Sequence, residues 1–163
     1  MSSDLWPSVP NEIRIEKDSK VMRCKRNNDF YALYGCPSKD NHNRVLTSLN
    51  DGMIVVLEGL PPKEDVPITC PIFAVQPSQI LAVPTGKIFI RFDEDILALD
   101  YTAEVERLGY EIEESPIYAP HALWLRPKSG VVAEALAHAQ DLRQLPHIAN
   151  VEPQLLIERK LRV

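Results

Sequence analysis

The sequence predicts an α+β fold, and three observations carry that expectation. Helical spacing of apolar residues occurs only after Pro84, in two short runs. The other apolar stretches alternate with polar residues or are brief, as strands are. The pieces after Pro84 follow the order strand, helix, strand, strand, helix, strand, which is the split-βαβ, ferredoxin-like arrangement. The expected organisation is a flexible N-terminus over residues 1–10, a small antiparallel β-rich domain over 11–84 and a ferredoxin-like domain over 85–163.

Before Pro84 the elements read as β. EIRIEK (12–17) and VMRCKR (21–26) flank Asp18-Ser19-Lys20, a short polar connection. DFYALYG (29–35) is aromatic-rich. RVLTSL (44–49) and MIVVLEG (53–59) flank Asn50-Asp51-Gly52, where glycine accepts the positive φ of a hairpin turn. Pro61, Pro62, Pro67, Pro71, Pro77 and Pro84 read as breaks between elements.

After Pro84, KIFIRF (87–92) alternates as a strand. Asp100 is placed to cap a helix carrying Tyr101, Val105 and Leu108, and Gly109 stands where that helix stops. YEIEESPIY (110–118) is extended and HALWLRP (121–127) is a strand. Ser129 is placed to cap a second helix with Val132, Ala135, Leu136, Ala139 and Leu142 on one face, and Pro146 follows its end. Extended chain resumes from Ile148.

Strand alternation then sorts the side chains. Ile88, Ile90, Phe92, Leu123 and Leu125 belong under the helices. Phe89, Arg91, Trp124 and Arg126 belong together on the open face. Aromatics and arginines are the types that dominate contacts between proteins. Three occupants suit such a face: the N-terminal half of the chain, a protein partner or second copy, or stacked nucleic-acid bases. The third is disfavoured by a net charge of −5 and by the lack of a K-G-F-G-F-V-x-F pattern.

The 163 residues, 45% of them hydrophobic, suffice for one ordinary domain or two small ones. A mildly acidic chain is a poor partner for nucleic acid or anionic membrane. The start, MSSDLWPSVPNE, lacks the basic and apolar regions of a signal peptide, and no apolar run approaches a membrane span. Cys24, Cys36 and Cys70 are odd in number without C-x-x-C spacing, which points to reduced thiols and the cytoplasm.

The segments KIFIRFDEDI, ERLGYEIEES and LAHAQDLRQLPHIANVEPQLLI resemble the prosegment domain of subtilisin-like serine proteases, a domain also found as a stand-alone peptidase inhibitor. Leu145, Pro146, Ile148, Val151, Glu152 and Pro153 occupy the places of its L-P-x-V-x-x-V-E-P motif. The resemblance spans residues 85 to 157. It implies a ferredoxin-like fold and a protein-binding role, as inhibitor or folding chaperone of a subtilisin-like protease. The open sheet face would pack on the protease, and a C-terminal tail ending Lys160, Leu161, Arg162, Val163 would lie as an added strand in its cleft. Such a cleft favours an apolar residue where this chain has Lys160. The alternation in QLLIERKLRV suits a strand folded back on the body equally well. The alternative function is a scaffold of the same fold, with its open face covered by its own chain or a second copy.

No catalytic pattern is expected. The sequence has no G-x-S-x-G elbow, Gly-rich phosphate loop or H-E-x-x-H pair. His42, His121, His138 and His147 read as solvated or capping residues, and Cys36 with His42 lacks further partners for a metal. Asp93, Glu94 and Asp95, with Glu111, Glu113 and Glu114, read as a solvated acidic face. No cofactor and no metal are expected.

Overall fold

The computed structural model describes residues 4–17, 19–49 and 53–157. Asp18, the Asn50-Asp51-Gly52 turn and the tail residues Lys160, Leu161, Arg162 and Val163 lie outside the described residues. The described chain forms two compact units. One contains the residues up to Pro84 and those from Leu155 onward; the other is Thr85–Gln154.

In the first unit, β1 (Glu12–Lys17) pairs antiparallel with β2 (Lys20–Tyr34), Ile13 facing Cys24 and Ile15 facing Met22. The two strands expected at 21–26 and 29–35 are one continuous β2. Its register against β5 (Thr69–Val75) shifts between Asn27 and Tyr31, so the polar Asn27-Asn28 step is absorbed as an irregularity without ending the strand. β2 also pairs with β4 (Ile54–Glu58), which pairs with β3 (Val45–Leu49). A 3₁₀ segment, Lys63–Ile68, leads into β5, and β5 pairs with the start of β6 (Ile80–Phe92). Ala32, Ile54, Val56, Ile72, Ala74, Leu81 and Val83 form the core of this unit.

Two polar devices fix its loops. The carboxylate of Asp65, only 2% exposed, accepts from the Ser38 amide at 2.7 Å and from Asn41 Nδ2 at 2.9 Å. Asn43 Nδ2 donates to the Tyr31 hydroxyl at 3.0 Å and to the Leu60 carbonyl at 2.7 Å. The start of the chain is held by Arg26, whose side chain is 5% exposed. Its two terminal nitrogens donate to Asp4 at 2.9 and 2.8 Å, and its guanidinium lies 5.8 Å from the Trp6 ring centre. Trp6 and Val9 are buried.

The hydrogen bond from Arg26 holds the Asp4 carboxyl below its ordinary value of 3.8. A carboxyl depressed in the folded state contributes stability that is present above its unfolded pKa and lost as pH falls through the folded one. Asp4→Asn should therefore lose stability at pH 7 and show a shallower fall in thermal midpoint than wild type below pH 4. Parallel acid limbs in a pH series of melts would contradict this.

In the second unit the rest of β6 pairs with β8 (Ala122–Pro127), Ile88 facing Leu125 and Ile90 facing Leu123. β8 pairs with β7 (Tyr110–Glu114), and β9 (Ile148–Ile157), which belongs to this unit as far as Gln154, pairs with β6. The helices are α1 (Thr102–Arg107), α2 (Val132–Ala137) and α3 (Ala139–Leu142). Ile88, Ile90, Phe92, Leu123 and Leu125 pack with Val105, Ala135, Ala139 and Leu142 in one core. Fully buried Tyr110 donates from its hydroxyl to the Ala135 carbonyl at 2.6 Å, tying β7 to α2.

The expected α+β, ferredoxin-like fold class is overturned. Strand takes 48% of the chain and helix 17%, so the protein is mostly antiparallel β, with nine strands among the described residues. Two physical causes account for the difference. The helices are short, because the second apolar run breaks at His138 into α2 and α3. The strands are long, because prolines expected to break them lie within them: Pro71 in β5, opposite Tyr31 of β2, and Pro84 in β6. Pro71 precedes the β5–β6 ladder, which begins at Phe73. Pro84 lies between the β6 ladder to β5, ending at Ala82, and that to β8, starting at Ile88. The caps also differ. Neither Asp100 nor Ser129 caps a helix by its side chain. Asp100 lies in a 3₁₀ turn before α1, and Ser129 Oγ accepts from the Val131 amide. Gly109 does follow α1, with φ +99°.

Gly86 has φ +95°, and a Cβ there would stand 3.2 Å from Val132 Cγ2 on α2. Gly86→Ala should destabilise by about 1–2 kcal/mol from the backbone alone. Urea unfolding checks this; an unchanged midpoint would contradict it.

Candidate protein-binding face

The Thr85–Gln154 unit buries one row of its strands and leaves the other accessible. Alternation along β6 makes Ile88, Ile90 and Phe92 buried, Phe89 half-buried, and Lys87 and Arg91 exposed. Along β8, Leu123 and Leu125 are buried, Trp124 is half-buried and Arg126 is exposed. Phe89 faces Trp124 across the ladder, and their rings meet at 5.0 Å with a 51° tilt. A tilted aromatic pair contributes about 0.5–1.5 kcal/mol beyond its buried area. Arg91 is exposed and faces Ala122 across the ladder.

The four residues expected on this face are therefore brought together on it. Two acidic residues expected on a solvated acidic face join them. Glu111 faces Arg126 across β7–β8 and pairs with its guanidinium. Glu113 reaches Lys87 Nζ at 3.5 Å. A register in which Tyr110 and Ile112 point to the core would have turned Glu111 towards Arg126. Arg91 has no ion pair among the described residues, whereas Lys87 and Arg126 do.

The remaining chemistry is sparse. Burial raises the Cys24 and Cys70 thiols above their ordinary values, which keeps them protonated, while Cys36 is exposed. His138 Nδ1 stands 3.5 Å from Asp141 and His147 Nδ1 3.7 Å from Asp93, both at the surface. Among the described residues no three His, Cys, Asp or Glu side chains gather as a metal site, and no helix is long and apolar enough to cross a membrane.

No protein family, no curated protein and no solved structure matches this chain.

Proposed function

We propose that the chain is a non-catalytic protein-binding module of the cytoplasm, with the face of Phe89, Arg91, Trp124 and Arg126 as its contact surface. The observation that carries this reading is the Phe89–Trp124 pair, seated on the sheet face away from the helices beside the exposed Arg91. A half-buried tryptophan and an accessible arginine are typical anchors of protein interfaces. The partner is a subtilisin-like serine protease, named by the resemblance in residues 85 to 157, and the role is inhibition or assisted folding of that protease.

A scaffold role through self-association is the second reading. It is favoured by the presence of both signs on one face, Lys87 and Arg126 with Glu111 and Glu113, as a two-fold pair of identical surfaces requires.

Titration of the whole chain against a panel of subtilisin-like proteases separates the two. Inhibition by the full chain that is lost on removing residues 158 to 163 supports the protease reading. Absence of inhibition, with a concentration-dependent dimer in sedimentation, supports the scaffold and sinks the protease.

A further inference from the structure

We infer that the loop joining β7 to β8 is a separate contact element, which seats Ile117 and Tyr118 in an apolar cleft of another protein rimmed by lysine and arginine. This inference does not depend on the partner proposed above. Ile117 is 98% exposed and Tyr118 87% exposed. Single apolar residues are common on surfaces, but two large neighbours displayed almost completely are not explained by folding, which gains nothing from them.

The loop is built to hold the pair out. Pro116 and Pro120 flank it, and Pro116 is buried. The Ala119 amide donates to the Pro116 carbonyl at 3.2 Å, and the Ala122 amide to the Ala119 carbonyl at 3.0 Å. Behind the loop, the Phe92 amide donates to the His121 carbonyl at 2.8 Å and the Ala98 amide to the Pro120 carbonyl at 2.9 Å. Prolines and these bonds restrict the loop before binding, so little conformational entropy remains to be lost on contact. Tyrosine adds a large, stiff side chain with a polar tip, a type enriched among interface anchors.

Charge defines the partner. Glu114 leads into the loop, beside Glu113, which is paired with Lys87, and the segment bonded behind the loop carries Asp93, Glu94, Asp95 and Asp100. Exposed Leu97 and Leu99 flank Ala98, the residue bonded to Pro120, and extend the apolar surface. Apolar side chains set among carboxylates fit an apolar cleft with a basic border, where complementary fields speed encounter and fix orientation. The same carboxylates repel phosphate-rich surfaces, and a second copy of this acidic chain is a poor match.

The test places a photo-reactive benzophenone amino acid at position 118 of the whole chain, with a second chain labelled at exposed Lys128 as control. A protein captured only from position 118 is purified and titrated with unlabelled chain. The proposal expects Ile117→Ser and Tyr118→Ser each to weaken binding at least tenfold. It expects Asp93→Asn with Asp95→Asn, or a rise from 0.1 to about 0.5 M salt, to weaken it severalfold. Because both loop residues are exposed, their replacement leaves the thermal midpoint unchanged. Three results would overturn the proposal: equal capture from both positions, capture of a second copy alone, or a purified partner whose affinity ignores Ile117, Tyr118 and salt.

Discussion

Leu125→Ala is expected to lower the unfolding free energy by about 2–5 kcal/mol, the range for emptying a fully buried leucine site. Its neighbour Trp124, replaced by alanine, is expected to cost less than half of that, despite losing far more volume. Leu125 is buried in the core with Ile88, Ile90 and Leu142, where nothing can refill the space. Trp124 is half-buried and has Phe89 as its aromatic neighbour, so what is lost is one tilted ring contact and part of a surface. Urea unfolding of the two variants, followed by circular dichroism, makes the comparison. Equal losses, or a larger one for Trp124, would place the indole in a core and remove the face from consideration.

Asp65→Ala is expected to cost about 2–4 kcal/mol, since it strands two donors at once. The Ser38 amide and Asn41 Nδ2 both end on this carboxylate, so the loop from Gly35 to Arg44 would lose two of its tethers and keep the bonds of Asn41 and Asn43 to the Tyr31 hydroxyl. Amide exchange at Ser38 should accelerate in parallel with the fall in stability. Asp65→Asn keeps one acceptor oxygen and should cost less. A loss under about 1 kcal/mol for the alanine variant would mean that solvent already serves these donors.

These two sites differ in how far the sequence reveals them. The rows of Leu125 and Trp124 follow from period-two alternation, and a register slip of one residue would exchange every member, so the pattern is strongly constrained. The apolar positions of the helices, Val105, Ala135 and Leu142, were legible for the same reason at the helical period. Asp65 was not legible. It meets Ser38 from 27 positions away, and no local window contains both. The Arg126–Glu111 pair needed the register of two strands to be known together. The fold class failed through the prolines. Pro71 and Pro84 look like breaks in the sequence, yet whether a missing N–H ends a strand depends on which neighbouring strand asks for it. His138 similarly divides an apolar run that looks continuous when only its period is counted.

The face stands or falls on whether Trp124 meets a partner. The chain has two tryptophans, Trp6 buried in one unit and Trp124 half-buried in the other, so fluorine labelling gives two resonances that Trp124→Phe assigns. On titration with a subtilisin-like protease, the Trp124 resonance is expected to shift saturably while that of Trp6 stays in place, and Arg91→Glu is expected to weaken the binding at least tenfold. A protease bound and inhibited with the Trp124 resonance unmoved, or no binding across the panel, would contradict it.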